Sequence, residues 1–349
     1  MGDTTDPSNP LAHHTVRIAK ALARAFSAAW SEGSEAGMVA ALKGMAAPDY
    51  KWRGSYPYGE IEGVDAVCAS LYRPLRAMMA SLVRHEFLAI AGFNDADEAH
   101  SVWSCSLGHF TGPFTAPWLG LRPTGKLVRL RYAEFHRVAD GKIAESALFF
   151  DLADFLQQVG LDPFPDQLGA RHIFPPPRRG LSGLGSDSAA RGRDTMALLN
   201  RMIADLDLLN KSGEDTCPPE FLERTWRADM AWYGPAGIGS MMSIPLYQEQ
   251  HQFPFRQGLT NKQYLGHVAR IAEGDFAAFF GWPNLSNSPR GGYLGLPASD
   301  VRGEMRIVDV YRRQGDRLAE NWVIIDFPYY FKAFGIDLLA NAVATQAAS

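Results

Sequence analysis

Asp151 and Asp326 close two alternating runs, Glu145, Ala147, Phe149, Asp151 and Glu320, Trp322, Ile324, Asp326. On a β-strand such positions share one face. If the apolar members face a pocket, each carboxylate does too. There it loses hydration, its pKa rises, and it becomes a base or an acid near neutrality. Abstracting a proton flanked by two carbonyls needs no metal, and a positioned acid or base contributes about 10²- to 10⁴-fold. The same two residues have a structural reading. Each precedes a short helical segment and has the side chain of an N-cap.

Other side chains are candidates to complete such a site. Glu134 and Asp309 hold acidic character at corresponding strand positions, either as further pocket carboxylates or as ion-pair partners of Arg131, Arg306 or a neighbouring strand. His109 has the chemistry to polarise a carbonyl, and a lone strand histidine is also a common structural residue. Trp52, Trp232, Trp282 and Trp322 would make a flat wall for a ring-shaped ligand or serve as core. There is no H-E-x-x-H, no His/Cys cluster with ligand spacing, no phosphate-binding Gly-rich loop before a helix and no G-x-S-x-G elbow. The expectation is chemistry with no cofactor and no metal.

An internal repeat positions these residues twice. A shift of 175 residues superimposes Asp151 on Asp326, Gly120-Leu121 on Gly295-Leu296, Arg131 on Arg306, Arg137 on Arg312, Glu145 on Glu320 and Gly160 on Gly335. Further upstream the shift becomes 180 and matches Asp49, Trp52 and Gly54 to Asp229, Trp232 and Gly234. Each copy opens with an amphipathic helix, carried by Ile18, Leu22, Phe26 and Ala29 or by Met196, Leu199, Ile203 and Leu206. A second helix is predicted near Val64 to Leu82 and near Thr260 to Ala272. Strands follow over Leu127 to Val138 and Glu304 to Tyr311. Turns at Asp140-Gly141 and Gly315-Asp316 then lead to final strands over Ile143 to Asp151 and Leu318 to Asp326. This order is α+β. The predicted domains are residues 1–162 and 193–349, joined by a Pro/Gly-rich linker over 163–192. Apolar linker residues Phe164, Leu168, Ile173 and Phe174 are placed to pack on a neighbouring surface.

The 349 residues exceed what one hydrophobic core usually serves. A 46% hydrophobic and 21% charged composition is that of a globular protein. The net charge of -4 argues against nucleic acid, and the densest basic cluster is only Arg178-Arg179. Three well-separated cysteines, Cys68, Cys105 and Cys217, suggest neither a disulfide framework nor a metal knuckle. With no signal-like or membrane-length apolar run, a cytoplasmic protein without a membrane partner is expected.

Three stretches carry a resemblance: Gly120-Leu121-Arg122-Pro123-Thr124-Gly125-Lys126, the run from Glu134 through Asp140-Gly141-Lys142-Ile143 to Glu145, and Asp151 followed by Phe155 to Leu161. In their order and spacing the sequence resembles the SnoaL-like polyketide cyclase family of the nuclear transport factor 2-like superfamily. That resemblance implies two tandem α+β cones, each a curved antiparallel sheet packed on helices around a pocket. It implies an acid/base role for Asp151 and Asp326. The family's Trp four residues before that Asp is matched by Trp322 and by Ala147, so the two pockets should differ. Its intervening His is replaced by Ser146 and Asn321. Its G-T-H-T-G strand corresponds to Gly108-His109-Phe110-Thr111-Gly112, with Gly281-Trp282 in the second copy. Members pair through their sheets, which implies an internal pseudo-dimer of the two copies and allows a homodimer. The expected function is a cofactor-independent acid/base enzyme of the polyketide cyclase type, acting on an apolar oxygenated small molecule. Its alternative is a non-catalytic small-molecule-binding or interaction protein.

Overall fold

A computed structural model describes residues 10–32, 34–177 and 188–348. Residues 178–187 of the expected linker, the Arg178-Arg179 pair among them, lie outside the described residues, and its last part, 188–192, is already helical. The chain divides into two compact units, Met1–Leu161 with Leu339–Ser349, and Asp162–Leu338.

Unit 1 contains α1 (Pro10–Glu32), α2 (Glu35–Met45), β1 (Ala46–Gly54), β2 (Gly59–Glu62), α3 (Val64–Val67), α4 (Arg73–Met78), β3 (Val83–Phe93), β4 (Val102–Pro113), β5 (Leu127–Ala139), β6 (Lys142–Phe150) and α5 (Leu152–Gln158). A π turn, Cys68–Tyr72, joins α3 to α4. The six strands run β2-β1-β6-β5-β4-β3. The sheet is not wholly antiparallel as expected, because β1 pairs with β6 in parallel. That pairing follows from chain order, since β1 and β6 are joined through the whole domain and not by a hairpin. Ala19, Ala23, Phe26 and Trp30 turn the buried stripe of α1 inward. On β5 the inner row is Val128, Leu130 and Tyr132, continued by Glu134 and His136; on β6 it includes Leu148 and Phe150.

Unit 2 contains α6 (Ser188–Ser212), α7 (Pro219–Glu223), β7 (Trp226–Tyr233), β8 (Ser240–Met242), α8 (Ile244–Tyr247), α9 (Phe253–Gly258), β9 (Leu259–Tyr264), β10 (Ala269–Glu273), β11 (Phe276–Phe280), β12 (Leu285–Pro289), β13 (Gly303–Met305), β14 (Ile307–Gln314), β15 (Arg317–Ile325) and α10 (Phe327–Lys332). A second π turn, Gln248–Gln252, recurs between α8 and α9. The order β10-β11-β14-β15-β7-β8 repeats that of unit 1, again with one parallel pair, β15 with β7. Two α+β units of the same strand order are the product of a tandem duplication.

The helix expected over Thr260 to Ala272 is instead strands β9 and β10, and the second-copy helix lies upstream in α8 and α9. Leu259, Ala269 and Ile271 are buried in that region as strand residues. The counterparts of β3, β4 and β5 are each broken in unit 2, and the outer pieces form a separate sheet, β13-β12-β9. Asn284 spans one break: its side chain donates to Ile307 O at 3.3 Å and accepts from Ile307 N at 3.0 Å. It thereby replaces ladder bonds that the missing strand residues would make.

The W-x-G match of the repeat has a packing cause. Each indole folds over the glycine two residues on, and a Cβ at Gly54 or Gly234 would stand 2.0 or 1.9 Å from Trp52 or Trp232. The described part of the expected linker is docked within unit 2. Ala170 bridges Ser240 at the edge of β8, and Phe164 packs on Phe327 and Phe331. The last helix, α11 (Leu338–Ala348), contributes Leu339 and Ala342 to the unit 1 core. Gln346 there bonds both the N–H and the C=O of Arg122, at 2.6 and 3.0 Å.

Candidate functional site

Unit 2 encloses a cavity of about 200 Å³ where its sheet breaks, bordered by Tyr264, His267, Asn284, Leu285 and Ile307 near the breaks and by Met202, Ile203 and Leu206 of α6. A cavity of about 150 Å³ admits benzene, so this one has room for a substituted ring. Its floor is the sheet. Asp309 stands between Phe279 and Val323 on the neighbouring strands, and Tyr311 stands opposite Asn321, which in turn is opposite Trp232. These residues line the cavity together with Trp226, Tyr247, His251 and Phe255.

Asp309 is the carboxyl on the sheet floor of this cavity. Burial pushes its carboxyl up to about 7, against smaller opposing pulls from hydrogen bonds of Asn321 and Tyr311. Asn321 Nδ2 donates to Asp309 Oδ1 at 3.1 Å. Part of the Asp309 surface stays accessible because it borders the cavity. Burial also pushes His251 and His267 down to about 3, the latter with help from Arg270, so both imidazoles are neutral. His251 stacks on Trp232 at 4.2 Å, and its Nδ1 is buried without a hydrogen-bond partner. The phenols of Tyr247 and Tyr311 are raised by burial and, next, by Asp309. A carboxyl that gains and loses its proton near neutrality inside an aromatic cavity has the properties of a general acid or base.

His251 also borders a second cavity of about 330 Å³, whose wall includes Gln167, Gln250, Gln257 and the glycines at 291 and 292. Its acidic side chain, Asp166, is fully exposed, so it offers acid/base chemistry no desolvated group.

Of the predicted site residues, the unit 2 cavity gathers Asp309 and Trp232. Asp326 and Trp322 lie on the other face of β15, because Asn321, Val323 and Ile325 are the residues that line the cavity and alternation sends their neighbours away. The expectation that Asp326 faces the pocket is therefore corrected. Asp326 caps α10, accepting from Tyr329 N at 3.4 Å. Trp322 donates to Pro175 O at 2.9 Å, and Trp282 covers the guanidinium of Arg306 at 3.6 Å. Asp151 likewise caps α5, accepting from Asp154 N at 3.0 Å and from Arg131 at 3.2 Å. His109 sits on the face opposite the core residue Phe110, against His85 and Phe87, and burial lowers it to about 4. Trp52 is core.

In unit 1 the place corresponding to the cavity is filled. Glu134, the counterpart of Asp309, is wholly buried and pairs with Arg84 at 2.7 Å, not with Arg131 as one reading had it. Tyr72 donates to its other oxygen at 3.3 Å. Arg84 also donates to Ser106 Oγ at 3.0 Å and lies over the Tyr132 ring at 4.4 Å. His136 bonds Ser146 at 2.7 Å, at the positions of Tyr311 and Asn321.

Residues 20–159 match the family model of the SnoaL-like polyketide cyclases. Unit 1 is a SnoaL-like domain. Among solved structures, AclR from Streptomyces galilaeus is similar at 20% identity, covering 43% of this chain and 85% of its own, with a TM-score of 0.35. IdmH from Streptomyces antibioticus is similar at 16%, covering 40% and 96%, with a TM-score of 0.33. A nuclear transport factor 2-like protein of Burkholderia pseudomallei stands at 17%, 41% and 98%, with a TM-score of 0.31. No curated protein matches the sequence.

The SnoaL-like domain is thus the copy whose interior is plugged, while the cavity belongs to the copy that the family model does not reach. Sequence reasoning missed Tyr247, His251, His267, Tyr311 and Asn321. A signal existed for two of them. Tyr311 and Asn321 are the counterparts of His136 and Ser146, so polar side chains recur at these inner positions in both copies. No helix among the described residues is long and apolar enough to cross a membrane.

Proposed function

We propose that the chain is an acid/base enzyme of the cyclase type whose working site is the unit 2 cavity, with Asp309 as the group that exchanges a proton with an apolar, ring-bearing small molecule. The observation that carries this reading is a carboxyl held on the floor of an aromatic cavity, where burial pushes it up to about 7. The aromatic residues exclude water and hold a ring, and Asn321 and Tyr311 orient the carboxyl. Unit 1 then serves as a structural copy, because the carboxylate at the same position is neutralised by Arg84. The cap residues Asp151 and Asp326 act in this reading by fixing α5 and α10.

Wash-out of α-deuterium from labelled 1-indanone, a neutral ring ketone of suitable size, tests the reading by NMR. Acceleration over the buffer rate is expected in the native protein, falling by about 10²-fold in Asp309→Asn and persisting in Asp326→Asn. No acceleration in the native protein, or a loss confined to Asp326→Asn, contradicts it.

A further inference from the structure

Unit 1 contains a template for what the unit 2 cavity takes. Where Asp309 stands in unit 2, Glu134 of unit 1 pairs at 2.7 Å with the Arg84 guanidinium. That cation lies 4.4 Å from the Tyr132 ring, 5.6 Å from Phe110 and 5.7 Å from Phe26. A carboxylate behind and rings around the sides is an arrangement that holds an organic cation. Unit 2 repeats the carboxylate and the rings without the cation. Among the described residues no Lys or Arg lines its cavity, and Asp309 is hydrogen-bonded by the neutral Asn321 and Tyr311.

The geometry points to an organic cation as the ligand of the unit 2 cavity: an ammonium, amidinium or guanidinium group on a small apolar body, paired with Asp309 as Arg84 is paired with Glu134. This rests on the reading of that cavity as the ligand site. A volume of about 200 Å³ suits one ring with a short charged arm. Phe279, which stands beside Asp309 on the neighbouring strand and lines the cavity, supplies the cation–π contact. A cation there favours the ionised carboxylate, the state that a base needs, and a carboxylate keeps lone pairs free for proton transfer while one oxygen is paired.

The pairing makes binding depend on pH through Asp309. The other titratable groups facing it are Tyr247 on α8, Tyr311 on β14, His251 on the π turn, His267 between β9 and β10, Tyr264 on β9 and Asp207 on α6. Burial keeps the three phenols protonated and the two imidazoles neutral, and Asp207 is already paired with Lys211 at 2.5 Å.

Calorimetric titration with benzylammonium, benzyl alcohol and benzoate tests the inference. Near pH 8 benzylammonium should bind about tenfold more tightly than benzyl alcohol, with benzoate weakest. At about pH 5.5, with Asp309 protonated, that preference should shrink to less than about threefold. Asp309→Asn should abolish the preference and leave benzyl alcohol bound; the pH dependence of the native protein decides the matter if this variant fails to fold. Benzyl alcohol bound as tightly as benzylammonium near pH 8, or a preference that survives in folded Asp309→Asn, overturns the inference while the cavity reading stands. Binding of none of the three overturns both.

Discussion

Replacing Asp309 by Asn removes the ionisation that burial opposes while nearly keeping the shape. Burial moves the carboxyl from an ordinary 3.8 to about 7. At about 1.36 kcal/mol per unit, ionising Asp309 in the folded protein costs about 4 kcal/mol. The folded state holds this proton more tightly than the unfolded chain, so the stability that the proton supplies is fully present below about pH 4. It is lost progressively as pH rises to about 7 and is gone above that. The native protein should therefore lose stability relative to Asp309→Asn by about 3 kcal/mol between pH 4.5 and 7.5, levelling off beyond. Urea unfolding midpoints at matched pH values, followed by tryptophan fluorescence, read this difference. A difference that does not vary with pH, or a native protein that gains on the variant as pH rises, refutes the desolvation argument.

Arg84→Ala should cost about 3 to 5 kcal/mol because it strands Glu134 as an uncompensated buried charge, whereas Arg84→Met with Glu134→Gln should cost much less; thermal melts of the two variants compare them. Asp326→Asn should change stability by less than about 1 kcal/mol, since Asn also caps helices. Asp151→Asn removes the charge that meets Arg131 and should cost about 1 to 3 kcal/mol, read from the same melts.

The repeat, the α+β order and the closing hairpin of each copy were legible because turn residues such as Asp140-Gly141 and Gly315 mark them and because each Trp must fold over its Gly. The face of the last strand was not. Ala147, Phe149, Trp322 and Ile324 are as buried as Leu148, Phe150, Val323 and Ile325, and alternation reveals an inside only where one face is polar. The run from Thr260 to Ala272 reads as a helix because the break at Leu265-Gly266 merges two short strands into one apolar pattern. The difference between the copies was hidden for another reason. Arg84 reaches a carboxylate fifty positions away in the chain, and only the folded sheet shows that the pair occupies what is a cavity in unit 2.

A crystal of the protein soaked with benzyl alcohol tests the central claim, that ligands enter the unit 2 cavity beside Asp309. The ring should lie against Phe279 with its hydroxyl within hydrogen-bond reach of the Asp309 carboxyl, at about 2.5 to 3.0 Å. A ligand seated instead beside Asp326 or Asp151, with the cavity around Asp309 left untouched, would contradict it.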